Sequence, residues 1–351
     1  MKQVLISLAF ILFFFHSSGQ IEYPITAKII VTDAYFDIKV EDPYRWLEDD
    51  TSPQVKKWIT KQNELTFSYL EQIPQRKILK NRLEELWNYE KIGTPFNEGD
   101  YTYFYKNDGL QNQYVLYRKK EEEQEEVFID PNQFSEDGTI SLAGISFSED
   151  GSLLAYSISE GGSDWRKVIV IETERKTMVE DTLLDVKFSG ISWNGNKGFY
   201  YSSYDKPENS VLSDKTDRHK LYYHQLNTLQ KDDKVIFGKK EKFRYVSGYI
   251  TRDQNYLVIS ASKATSGNNL YIKDRNKENA GLIQITYNFE SNSHISHNIG
   301  SKLYISTNLN APNKKLIIVN ANAPQVENWI TFIPETENVL SVSKGGGYFF
   351  A

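Results

Sequence analysis

Apolar and polar residues alternate along most of this chain in short runs broken by glycine, asparagine or aspartate, and residues 144–158, GISFSEDGSLLAYSI, set the plan. A short strand ends at Phe147, Ser148-Glu149-Asp150-Gly151 supplies a tight turn, and a second strand starts at Leu153. Asp-Gly between apolar runs is a strong hairpin signal, because glycine accepts the positive φ that primed turns need. Similar units begin at Gly190, Gly248 and Ile295, with a looser copy from Phe96 and a last one from Val339. The turn residues Gly99, Gly151, Asn196, Asn255, Ser301 and Gly347 are spaced by 52, 45, 59, 46 and 46 residues. That is the period of a four-stranded propeller blade, roughly 40 to 50 residues, whereas stacked helical repeats need long stretches with apolar residues every three or four positions. The pattern therefore predicts an all-β propeller. Its blades are expected at residues 93–131, 142–182, 186–238 (with an insert over 203–219), 243–286 and 293–334, followed by the first third of a sixth. A chain ending at Ala351, in mid-strand, reads as an incomplete and poorly soluble ring, since propellers gain stability from closure.

Residues 20–92 follow a different pattern. Short strands are predicted at 29–31 and 35–40 around a Thr32-Asp33 turn. Ser52-Pro53 then caps a helix whose stripe is Val55, Trp58, Ile59, Leu65 and Tyr69, and which ends before Pro74. A second helix at 76–89 is expected to bury Leu79, Leu83, Leu86 and Trp87. Such helices need a partner surface, because isolated ones are marginal in water.

Composition narrows the picture. Aromatic residues make up 14% of the chain and charged ones 25%, a balance suited to a soluble strand-rich protein, and 351 residues suggest about two domains. The formal net charge is −6 and no basic cluster exists, which argues against nucleic acid as a partner. Residues 1–19 have the layout of a secretory signal peptide: Lys2, an apolar core from Val4 to Phe15, then Ser17-Ser18-Gly19. Cleavage after Gly19 would leave a periplasmic or secreted protein with no stable membrane insertion, an uncleaved anchor being the competing reading. The absence of cysteine excludes disulfides and lipid attachment through that residue.

No complete catalytic set emerges from the residues. A nucleophile elbow wants G-x-S-x-G at a strand-to-helix turn. The stretches around Ser146 and Ser192 lack the final glycine and precede further strands, and Ser163 in Gly161-Gly162-Ser163-Asp164-Trp165 also leads into a strand. His294 and His297, three apart on a strand, are expected on opposite faces and so unable to share a metal. His219 and His224 fit a sheet surface better than a base. No cofactor is implied, no phosphate-binding loop or metal cluster stands out, and the run KKEEEQEE at 119–126 reads as a solvated loop.

Asp42-Pro43-Tyr44-Arg45-Trp46-Leu47-Glu48-Asp49 and Gly109-Leu110-Gln111-Asn112-Gln113 strongly resemble the prolyl oligopeptidase family of serine peptidases. Gly162-Ser163-Asp164-Trp165 and Lys220-Leu221-Tyr222-Tyr223-His224 support the likeness, which runs in order from about Tyr23 to the end. The resemblance implies a seven-bladed propeller inserted in an α/β-hydrolase domain, with residues 20–92 as the N-terminal segment that packs on that domain. It implies a whole protein that cleaves short proline-containing peptides after proline, the propeller limiting entry. The triad would lie in a C-terminal peptidase domain outside residues 1–351, so this stretch alone is expected to be inactive. By the same resemblance Phe188 matches a propeller phenylalanine lining the specificity pocket, though as a residue it reads equally as core. The family's pocket arginine would fall near Ser262-Lys263-Ala264, where Lys263 offers only a point charge. The competing function is a non-catalytic secreted propeller that binds peptide or glycan.

Overall fold

The computed structural model describes residues 21–207 and 216–351, so the signal-peptide reading and the middle of the 203–219 insert lie outside the described residues. The chain divides into two compact units, residues 1–86 and 87–351.

In the first unit, strands Val31–Tyr35 and Ile38–Asp42 form an antiparallel hairpin. Its turn is Phe36-Asp37, both at positive φ (49° and 67°), not the expected Thr32-Asp33. Asp33 sits in the first strand because its carboxylate is bound by Arg45. The guanidinium also takes Asp42 Oδ2 at 3.0 Å and lies 3.4 Å from Glu48, while Trp46 Nε1 donates to the Ala27 carbonyl at 2.9 Å. The charged and aromatic 42–49 stretch is thus a clasp across the hairpin.

Helix α1 (Pro53–Glu71) starts as expected, the Ser52 hydroxyl accepting from the Gln54 N–H at 3.3 Å, and α2 (Gln75–Trp87) follows. The anticipated burial is different. Val55 is buried, but Ile59 and Tyr69 of α1 and Leu79, Leu83, Leu86 and Trp87 of α2 are exposed. No helix among the described residues is long and apolar enough to cross a membrane.

The second unit is a series of antiparallel sheets in chain order: sheet 1 (residues 91–129), sheet 2 (140–187), sheet 3 (192–237), sheet 4 (245–284), sheet 5 (293–333) and a hairpin at 343–350. Strands pair mostly with sequence neighbours, as in a blade meander. The segment Leu183–Lys187, assigned from the sequence partly to the third repeat, pairs with Trp165–Glu172 in sheet 2. The strand cores are apolar on both faces, and the two faces serve different neighbours. In Tyr256–Ser262 of sheet 4, Leu257, Ile259 and Ala261 pack against Leu221 of sheet 3, while Tyr256 and Val258 pack against Leu303 and Ile305 of sheet 5. Likewise Leu154 joins the core between sheets 1 and 2, and Ala155 the core between sheets 2 and 3. Period-2 alternation thus glues each sheet into a stack rather than separating core from solvent.

The first strands of successive sheets also touch in a row. Phe96 meets Phe147 at 6.3 Å between ring centroids, Trp193 Nε1 donates to the Ser146 carbonyl (2.8 Å), and the Ile250 N–H donates to Ser192 Oγ (2.9 Å). Tyr249 OH donates to the Ile295 carbonyl (3.1 Å), and Lys344 contacts His297. Sheets that share one edge in this way fan out from it, the arrangement a propeller requires.

Candidate functional site

Phe188 follows the last strand of sheet 2 on a strained connection, its φ at +51° and that of Asp185 at +56°. A bulky L-residue in this region is disfavoured unless its surroundings hold it there. Phe188 is 42% exposed, so it is no core residue. Its ring stands edge-on to Tyr245 (5.7 Å) and Tyr204 (6.2 Å), and Lys187 Nζ lies 5.3 Å from its centroid and 4.8 Å from that of Trp165.

Behind the ring sits His219, fully buried. Nε2 donates to the Lys187 carbonyl at 2.9 Å and Nδ1 accepts from the Val246 N–H at 2.8 Å, which fixes the tautomer. Burial pushes its pKa down to about 4, so it is neutral. It ties the residue before Phe188 to the residue after Tyr245, and its ring packs 4.3 Å from that of Tyr204. Tyr204 in turn donates to the Arg244 carbonyl, and burial holds its phenol up at about 12. Arg244 Nε donates to Tyr245 OH at 3.3 Å. The Arg244 backbone N–H bonds the Ser262 carbonyl at 2.9 Å, so a guanidinium stands one strand away from the 262–264 position that lacks one. Lys263 itself lies over the Phe289 ring at 4.6 Å.

The result is an exposed aromatic face with cationic edges, backed by buried aromatics and a neutral imidazole. It can hold an apolar ring or an amide plane, and it contains no nucleophile. Sequence reasoning singled out Phe188 alone. Tyr204, His219, Arg244 and Tyr245 reach it across the 203–219 insert and across sheets, and no local spacing signals that.

The other candidates have structural roles. Ser146 Oγ donates to the Ile191 carbonyl, Ser192 Oγ accepts from Ile250, and Ser163 Oγ accepts from the Trp165 N–H, which makes all three part of the backbone stitching. The amides of Gly109-Leu110-Gln111-Asn112-Gln113 act similarly: Gln113 Nε2 donates to the Ile140 carbonyl at 2.7 Å and Asn112 Nδ2 to the Gly138 carbonyl at 3.2 Å, joining sheet 1 to the start of sheet 2.

His294 and His297 do share a face, against expectation. A bulge at Ser296 adds a residue, and the two histidines stand opposite Ser306 and Tyr304, which are two apart. Ser296 Oγ and His294 Nε2 share a hydrogen bond at 3.1 Å, but among the described residues no carboxylate orients that imidazole, and burial keeps its pKa below the ordinary value. No cluster of three or more metal-ligating side chains is found among the described residues. His219 and His224 are not on a sheet surface. His224 is buried between Asp233 (Nδ1 to Oδ1, 2.8 Å) and Glu180 (Nε2 to Oε1, 3.1 Å), a link from sheet 3 to sheet 2.

Comparison with known proteins adds an independent line. Residues 23–351 match the family model for the prolyl oligopeptidase N-terminal beta-propeller domain. A prolyl endopeptidase of Elizabethkingia meningoseptica is 53% identical over 338 residues, 95% of this chain and 48% of that protein. Prolyl oligopeptidase A of Amanita bisporigera is 34% identical over 333 residues, 85% and 44% of the two chains. A solved structure from a study of two prolyl endopeptidases superposes with a TM-score of 0.82 at 27% identity, covering 93% of this chain and 49% of that one. The chain spans about half the length of the curated relatives it matches.

Proposed function

From the premise that this chain belongs to the prolyl oligopeptidase family, as its N-terminal propeller segment, we propose that it forms the substrate-admitting half of a serine endopeptidase that cleaves short peptides after proline. The bond-breaking groups, a serine, a histidine and an aspartate, belong in this reading to a C-terminal peptidase domain. The sheets read as five blades and the start of a sixth in a seven-bladed ring that limits which peptides enter. The exposed faces of α1 and α2 are the docking surfaces for the peptidase domain, and residues 1–19 direct export to the periplasm or beyond.

The observation that carries the reading within this chain is Phe188. A phenylalanine held exposed at positive φ, with its neighbours braced by a neutral histidine, is built to present a ring to something outside the propeller. A pyrrolidine ring is flat and apolar enough to stack there, and Arg244 and Lys187 flank it with charge. Phe188→Ala in the whole protein is expected to lower kcat/KM for a blocked Gly-Pro reporter about tenfold, roughly 1.4 kcal/mol of transition-state binding, with little change in Tm. Unchanged kcat/KM would remove Phe188 from the site.

A further inference from the structure

At the other end of the same row of strands lies a cavity of about 470 Å³, enclosed by residues 249–252 of sheet 4, 295–298 of sheet 5 and 344–347 of the final hairpin. Its charged lining is basic. Arg252 and Lys344 face it, and among the described residues neither has a carboxylate partner. Lys344 donates to Nε2 of His297, which requires that imidazole to be neutral. Burial first, and then Lys344, keep its pKa below the ordinary value. The acid that acts on His297 is Asp253, and its oxygens are already taken: Thr251 and the Asn255 N–H on Oδ1, Asn255 and Asn298 side chains on Oδ2. Gly346 and Gly347 turn the hairpin at positive φ and contribute no side chain to block the opening.

Two cations without acid partners in a half-enclosed polar cavity suit an anion, and a guanidinium beside an ammonium suits a carboxylate, which Arg can take through two parallel hydrogen bonds. The cavity's position limits the size of what brings that carboxylate. Strand Tyr245–Ile250 starts at the Phe188 cluster and ends two residues short of Arg252, which puts the two places about 20 Å apart at roughly 3.3 Å per residue. An extended peptide of about six residues covers it.

We propose that Arg252 and Lys344 hold the free C-terminal carboxylate of a peptide whose proline lies at Phe188, about six residues away. The choice of a peptide, rather than another anion, rests on the function proposed above. Calorimetric titration of the whole protein, its nucleophilic serine replaced by alanine so that no peptide is cleaved, tests it with three probes: a blocked eight-residue proline peptide with a free C-terminus, the same peptide amidated, and inorganic phosphate. The acid should bind at least tenfold more tightly than the amide. Arg252→Gln with Lys344→Gln should abolish that preference, whereas Lys302→Gln should leave it intact. Equal binding of acid and amide overturns the proposal, as does a preference that survives the double substitution. Phosphate binding without binding of the acid peptide would also overturn it. If the unsubstituted whole protein fails to cleave a proline reporter, the functional reading falls while the acid-over-amide difference in binding is left to stand or fall on its own.

Discussion

His224 shows how much one side chain can carry. Burial alone would lower its pKa, but the hydrogen bonds it donates to Asp233 and Glu180 outweigh burial and raise it to about 9. Tyr201 donates to the other oxygen of Asp233 at 2.8 Å, and the Asn227 N–H to the other oxygen of Glu180 at 2.8 Å, so both carboxylates are held in place. A folded-state pKa above the unfolded value near 6.5 means that the clamp contributes fully below about pH 6.5 and is lost as pH rises through 9. His224→Gln is expected to cost about 3 kcal/mol at pH 6 by leaving buried carboxylates unpaired. Urea midpoints should show the gap between wild type and variant closing by pH 10, and a gap independent of pH would refute the clamp. The sequence offered no hint of this, because Glu180 is 44 residues from His224 and enters from another sheet. Phe188 was legible only through resemblance, since neither its exposure nor its positive φ leaves a local pattern.

At the scale of elements, turn chemistry was the most readable layer. Asp150-Gly151 forms a turn between its strands, with Ser148 and Ser152 hydroxyls and the Ser152 N–H all donating to Asp150 Oδ1. The helix start at Ser52-Pro53 was equally plain. Failures arose where a tertiary partner overrode local preference. Arg45 drew Asp33 into a strand, and an extra residue at Ser296 reversed the facing of His297. The burial expected for α2 failed for another reason: an apolar stripe identifies a face, but not whether the described chain covers it. Gly151 is more than a turn residue, because a Cβ there would lie 2.3 Å from the Gly99 backbone nitrogen of sheet 1, at φ +72°. Gly151→Ala should therefore destabilise the chain by about 2 kcal/mol or more, from strain and displaced backbone together. Gly161→Ala, with φ +58° and nothing within 4 Å, should cost only about 1 kcal/mol. Chemical denaturation of the two variants checks the order, and equal losses would mean the Gly99 approach is unimportant.

Across the whole molecule, the spacing of turns along the sequence became contacts between neighbouring sheets. Asn196 donates to Asp150 Oδ2 and Asn298 to Asp253 Oδ2, both at 2.6 Å, so equivalent turns clasp one another along the series. A period near 46 residues was enough to place the sheets, because each repeat can bury its two faces only against its neighbours. The period says nothing of chemistry. In this account the propeller carries selection, through Phe188 and the aromatic cluster behind it, while the peptidase domain carries catalysis. The most direct test is the rate at which the whole protein releases a chromophore from two otherwise identical blocked reporters, one ending in proline and one in arginine before the scissile bond. Release after proline at least a hundredfold faster than after arginine is expected, and release after arginine alone, or after neither, would contradict the assignment.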